Sequence, residues 1–176
     1  MVFASSSAIY GNLPVGNDLD NNFEILSPYA QDKLTLEHYA KMTYDVFGVR
    51  SIGLRLFNVY GPGQDLANLK QGMVSIFCAM AIKDQKIVVK GSPDRSRDLI
   101  HVVDVVSNLV RCMKSDYRSP LDIGTGLETS VAELVEIIKI ECASLFGFTV
   151  LHSYEEGFTE DIFRSRAKFG VETSTL

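Results

Sequence analysis

Short apolar runs rich in β-branched and aromatic residues alternate along this chain with stretches whose apolar residues recur at helical spacing. That alternation admits few folds, because strands separated by helices pair in parallel, giving an α/β domain. Met1 to Ser5 reads as the end of a strand. Ser27-Pro28 opens a helix, with serine as N-cap and proline at the first helical position, and the helix should run to about Phe47 and stop at Gly48. Val49 to Phe57 reads as a strand broken at Tyr60-Gly61-Pro62-Gly63. Gly72 to Lys83 follows as a helix, Lys86 to Lys90 as a strand, Arg97 to Val102 as extended chain and Asp104 to Lys114 as a helix. Leu121 to Ile123 is a brief strand. Ser130 to Glu133 is a capping box for a helix to about Phe146, with Val131, Leu134, Val135, Ile138 and Cys142 on one face. A last strand near Phe148 to His152 precedes a polar tail.

At 176 residues and 46% hydrophobic content the chain has material for one ordinary core. Its net charge of −5 and lack of a basic run argue against a nucleic-acid surface. No apolar stretch approaches the roughly 20 residues of a membrane span. Met1 to Ala4 has neither the charged nor the long apolar region of a signal peptide. Cys78, Cys112 and Cys142 are odd in number and far apart, so they read as buried free thiols of a reducing compartment, and a cytoplasmic location is expected. His38, His101 and His152 are equally scattered, and no metal site is expected.

Chemistry concentrates at Tyr29 and Lys33. Positions i and i+4 share a helical face, so an ammonium can sit beside the phenol and favour its ionised form. Bringing a tyrosine from pH 10 to about 7 takes roughly 4 kcal/mol, which one cation in a poorly solvated cleft can largely supply. Ser5-Ser6-Ser7, at the end of the preceding strand, offers a hydroxyl to the substrate oxygen whose proton the phenolate removes. No strand–GxGxxG–helix unit occurs in the chain.

Five motifs stand in order: Phe3 to Gly11 (FASSSAIYG), Ser27 to Lys33 (SPYAQDK), Arg55 to Gln64 (RLFNVYGPGQ), Arg97 to Val102 (RDLIHV) with Asp104, and Ile123 to Gly126 (IGTG) with Thr129 to Val131. This order resembles the C-terminal half of an extended short-chain dehydrogenase/reductase, and within that group the nucleotide-sugar 4-epimerases. The resemblance implies a partial Rossmann-type parallel sheet plus a small α/β substrate-binding region: residues 1–64 in the NAD-binding domain, 65–176 mainly binding substrate. It implies Tyr29 as catalytic base, Lys33 as its partner and a contact of the nicotinamide ribose, and Ser6 as the catalytic hydroxyl, with Ser7 the neighbouring alternative and a substrate contact. Ala4, Ser5, Leu56 and Phe57 match positions lining the nicotinamide end of an NAD site. Asn58 and Arg97 match positions that hold a UDP-sugar diphosphate, and Val88 and Val89 positions near uracil. A surface ion pair with Asp98 or Asp94 is the plainer reading of Arg97, and a serine closing its strand the plainer reading of Ser6. Arg95 reads as solvated.

In that family the sugar 4-hydroxyl loses its proton to tyrosinate while C4 gives hydride to NAD+, and the 4-keto sugar takes the hydride back on its other face. Dehydratases and decarboxylases of the same superfamily resemble the chain too, but place carboxylates after the catalytic hydroxyl. Ser7-Ala8-Ile9-Tyr10 has none, which favours the epimerase. A sister dehydratase or reductase, and a non-catalytic sugar-nucleotide-binding remnant, are the alternatives. The resemblance implies a glycine-rich loop ahead of Met1 and a homodimer through the Tyr/Lys helix, and the 176 residues alone are expected to bind NAD poorly and not to turn over. The arginine of an Arg-Pro-Gly-Asp type sequence has only Arg164 or Arg166 as a counterpart.

Overall fold

The computed structural model describes residues 1–16, 22–68, 72–117, 119–157 and 162–171. The chain passes through β1 (Val2–Ser6), a 3-10 turn (Ser7–Tyr10), α1 (Pro28–Phe47), β2 (Ile52–Leu56), β3 (Asn58–Tyr60), α2 (Met73–Asp84) and β4 (Lys86–Lys90). It continues through β5 (Ser96–Arg97), β6 (Leu99–His101), α3 (Val102–Met113), β7 (Leu121–Ile123), β8 (Thr129–Ser130), α4 (Val131–Phe146), β9 (Leu151–Glu155) and β10 (Arg164–Ser165).

β1, β2 and β7 form a parallel sheet in that order, with Ser6 beside Leu56 and Leu56 beside Ile123. β3 pairs in parallel with β6, and β4 with β9. β5 lies between β10, to which it is parallel, and β8, to which it is antiparallel. The expected α/β class with parallel strands is therefore present.

The helix ends follow local chemistry. The Ser27 hydroxyl accepts from the Ala30 N–H at 3.2 Å, and Gly48 closes α1 in the left-handed region at φ 69°, a conformation that costs glycine no Cβ clash. Ser130 and Glu133 form the reciprocal capping box of α4, whose buried face is Val131, Leu134, Val135, Ile138 and Cys142. That face packs on Phe77, Ala81, Ile87, Val89 and Val150. A second core joins Ile52, Leu54 and Ile123 to Ile100, Val105 and Cys112. A third, of Ile9, Tyr10, Leu34, Phe57 and Ala167, lies under the end of β1.

Three boundaries differ from expectation. The stretch from Val49 to Phe57 is a strand only over Ile52–Leu56, and at Phe57 the chain changes sheets: its N–H donates to Ile123 O at 3.1 Å, and the next N–H, of Asn58, to Asp98 O at 3.0 Å. The extended run from Arg97 is broken at Asp98, whose N–H bonds Ser165 O at 2.7 Å. The last strand starts three residues later than expected. Phe148 stacks on Phe146 and Val150 enters the core, so pairing with β4 begins only at Leu151. Cys112 and Cys142 are buried free thiols, whereas Cys78 is half-buried. No helix among the described residues is long and apolar enough to cross a membrane.

Candidate active site

α1 begins beside the carboxyl ends of β1 and β2, the end of a parallel sheet where ligands of α/β proteins bind. The N-cap at Ser27 fixes its start, placing Tyr29, Lys33 and Glu37 in successive turns of one face. A cleft of about 320 Å³ opens there, lined among others by Ala4, Ser5, Ser6, Tyr29, Lys33, Leu56, Phe57 and Asn58. Residues far apart in sequence are thus brought to one surface.

The Lys33 ammonium donates to Ala4 O at 2.9 Å and stands 5.6 Å from the centre of the Tyr29 ring. Tyr29 is 55% exposed, and its hydroxyl has no partner among the described residues. The Ser6 hydroxyl is buried and accepts from the Ala8 N–H at 3.2 Å, capping the 3-10 turn. Capping uses an acceptor lone pair and leaves the O–H available to donate. Both readings of Ser6, strand closure and donor toward the cleft, are compatible with this one geometry. Ser7 opens the turn and does not line the cleft.

The donor set suits the nicotinamide end of a dinucleotide. Leu56 and Phe57 offer apolar wall, and Lys33 carries three N–H groups with one engaged by Ala4. Two remain for ribose hydroxyls or a phenolate. Val59, Gln64, Gly72, Met73, Val74 and Leu99 complete the lining, and no carboxylate borders the cleft among the described residues.

Below the cleft lies a buried polar chain that the motifs did not disclose. The Ser5 hydroxyl donates to Glu37 Oε1, and Arg55 grips the same carboxylate with Nε–Oε1 at 3.0 Å and Nη2–Oε2 at 2.7 Å. Arg55 Nη1 also donates to the Tyr10 hydroxyl at 2.8 Å, which donates to Asp122 Oδ1 at 2.7 Å. Burial, reinforced by the Asp122 carboxylate, pushes the Tyr10 phenol far above its ordinary range and keeps it a neutral donor. Burial acts to lower the Arg55 pKa, but the Glu37 hydrogen bonds and the charges of its neighbours outweigh it, and the guanidinium is pushed up. The available signal was spacing: Glu37 follows Lys33 as Lys33 follows Tyr29.

Of the remaining predicted residues, Arg97, Val88 and Val89 lie outside this lining, and Asn58 borders it. Arg97 is 9% exposed and donates to Ser96 O at 2.8 Å, and burial, with the Arg95 charge adding, pushes it down to about 10. Arg95 is half-buried rather than solvated and donates to the carbonyls of Ser92 and Lys90. Asp98 is fully buried and works as a structural clamp: it accepts from Thr125 N–H and Oγ1, both at 2.7 Å, from Gly126 N–H at 2.9 Å and from Ala167 N–H at 3.1 Å. Val88 and Val89 sit in β4, Val89 within the core. Asn58 donates to Asp98 O at 3.3 Å. Arg164 and Arg166 both pair with Glu128, at 2.5 and 3.1 Å.

Known proteins share this chain's sequence pattern and fold. The model of the NAD dependent epimerase/dehydratase family matches residues 1–124. A putative UDP-glucose 4-epimerase of Methanocaldococcus jannaschii is 36% identical, over 93% of this chain and 52% of its own length. A dTDP-4-dehydro-6-deoxyglucose reductase of Escherichia coli is 29% identical, over 97% and 55%. The solved UDP-N-acetylglucosamine 4-epimerase of Methanobrevibacter ruminantium, in complex with UDP-N-acetylmuramic acid, superposes with a TM-score of 0.85 at 28% identity, over 96% of this chain and 53% of that one. The chain spans about half the length of the curated relatives it matches. With the matched family model covering the strand ends, the Tyr/Lys helix and the cleft between them, this chain belongs to the NAD dependent epimerase/dehydratase family.

Proposed function

We propose that this chain carries the catalytic residues of a nucleotide-sugar 4-epimerase of the UDP-hexose type. The observation that carries the reading is the cleft itself: a phenol, an ammonium and a serine hydroxyl share it, and no carboxylate lines it among the described residues. Dehydration and decarboxylation need a further acid–base group at the sugar, and this lining supplies none.

Tyr29 receives the proton of the sugar 4-hydroxyl and returns it after the sugar has turned. Ser6 donates its O–H to the same oxygen as it becomes a carbonyl, a preorganised donor aimed at developing charge. Lys33, held by Ala4 O, places positive charge beside the phenol and retains N–H groups for ribose. Ala4, Ser5, Leu56 and Phe57 border the nicotinamide position. Bound there, NAD would supply the hydride acceptor and donor for C4 of the sugar, with Lys33 at its ribose. Arg97 is assigned to the diphosphate, where an anion would offset the cost of its buried charge, and Asn58, Ser7, Val88 and Val89 to other parts of the sugar nucleotide. We assign residues 1–64 to the NAD-binding domain and 65–176 mainly to substrate, with β7 returning to the first sheet. Leu36, Tyr39, Met42, Val46 and Phe47 are exposed along α1 and suit a homodimer through that helix. A cytoplasmic location accords with free thiols.

The test incubates the complete, NAD-loaded protein that carries this chain, since the 176 residues alone are expected not to turn over, separately with UDP-glucose, UDP-N-acetylglucosamine and UDP-glucuronate, then separates and weighs the products. A C4 epimer of unchanged mass supports the reading. Loss of water or carbon dioxide would assign the chain to a sister reaction instead.

A further inference from the structure

The first turn of α1 holds Tyr29, yet two later turns fasten the helix to the sheet. Lys33 bonds Ala4 O, and one turn on Glu37 receives the hydroxyl of Ser5, the next residue of β1. Consecutive turns of the helix are thus tied to consecutive residues of the strand that ends in Ser6. The second tie is the rigid one. Glu37 and Arg55 are 7% and 2% exposed, and the bidentate grip of Arg55 fixes both carboxylate oxygens while Tyr10 and Asp122 fix Arg55 from behind. Elsewhere α1 buries only Ala30 and Leu34, small or smooth side chains that would allow the helix to slide or roll.

We propose that Glu37 is a positioning residue for the reaction: through Ser5 and Arg55 it sets the axial and rotational placement of α1, and so the placement of Tyr29 and Lys33 against Ser6. It touches neither substrate nor cofactor. The inference rests on the function proposed above for this cleft. A misplacement of about 1 Å at such a site is worth about a hundredfold in rate.

A buried ion pair contributes to stability as well, so position and stability have to be separated. Two variants do so. Glu37→Gln keeps an oxygen for Ser5 but leaves Arg55 under-compensated; the double variant Glu37→Leu/Arg55→Met removes both charges together with the tie to Ser5. Replacing a buried pair by apolar side chains is often neutral for stability, whereas removing one partner is costly, so the Gln variant should lose about 10 °C in Tm and the double variant little. Turnover by the NAD-loaded protein should run the other way, about 10- to 100-fold down in kcat for the double variant with KM nearly constant, and within about threefold of wild type for Gln. Hydrogen exchange of the amides in the first two turns of α1, read without substrate, should quicken about tenfold in the double variant only.

Should kcat and exchange instead follow Tm, with the double variant like wild type, the network merely holds the fold and the proposal is overturned. If the Gln variant does not fold, the double variant decides alone. A complete, NAD-loaded wild-type protein carrying this chain that converts no sugar nucleotide refutes the function proposed for the cleft, while the exchange measurement still judges the placement of α1.

Discussion

Lys33 hangs 5.6 Å over the ring of Tyr29 while its ammonium is held at 2.9 Å by the carbonyl of Ala4. The lysine is thereby anchored to the strand rather than to the phenol, and Tyr29, which lines the cleft, keeps an unengaged hydroxyl. Tyr29→Phe removes that hydroxyl without removing buried contacts, because the side chain is 55% exposed. Turnover should fall about 10²- to 10⁴-fold with Tm essentially constant. Ser6→Ala should cost about 10²-fold by loss of a donor to the developing charge. Steady-state kinetics beside thermal melts check both.

Asp98 ties the Gly124-Thr125-Gly126 turn and Ala167 to the junction of β5 and β6. Asp98→Asn presents an amide to four donors and should cost about 3 kcal/mol of unfolding free energy in urea titrations. Gly124→Ala tests the same contact from the other side. A Cβ there would lie 2.7 Å from Asp98 Oδ2 and 2.9 Å from the Phe57 ring, and overpacking of this kind costs about 1–3 kcal/mol.

Burial pushes the thiols of Cys78, Cys112 and Cys142 above their ordinary range. The thiolate is the reactive form, so alkylation of the folded chain should be slow at pH 8 and should still be accelerating as pH rises past 9. Urea-unfolded protein should label at all three promptly. Mass spectrometry of a pH series reads the difference; equal rates for folded and unfolded protein would contradict it.

Arg97 stays charged at neutral pH although burial lowers it to about 10. A base depressed in the fold opposes folding below that pH, and the opposition fades as pH rises above about 10. Arg97→Met should weaken UDP binding by about tenfold or more if the guanidinium meets the diphosphate. Calorimetry with UDP decides.

Local chemistry made most of the fold legible. Ser27, Pro28 and Gly48 gave both ends of α1, and Ser130 with Glu133 the start of α4, because caps act within four residues. Leu121–Ile123 and Lys86–Lys90 stand where the apolar runs placed them. The boundaries that moved were set by distant partners: Phe57 changes sheets because Ile123 and Asp98 offer their carbonyls there, and β9 begins where β4 is free to pair. The cleft residues Ser6, Tyr29, Lys33, Leu56, Phe57 and Asn58 were readable from motifs and do meet in space. The Ser5–Glu37–Arg55–Tyr10–Asp122 chain was not, since a carboxylate on an apparently ordinary helix reveals its burial only when the strand opposite is known. Arg97 and Asp98 adjoin in sequence and invite an ion-pair reading, yet the Asp98 carboxylate serves the Gly124–Gly126 turn.

The most direct test of the C4 oxidation–reduction assigned to Tyr29, Lys33 and Ser6 follows a UDP-sugar carrying deuterium at C4. NMR of the product should show the C4 epimer with deuterium still on C4, formed by the wild type and not by Tyr29→Phe. Deuterium lost to solvent, or an epimer formed as fast by the Tyr29→Phe variant, would contradict it.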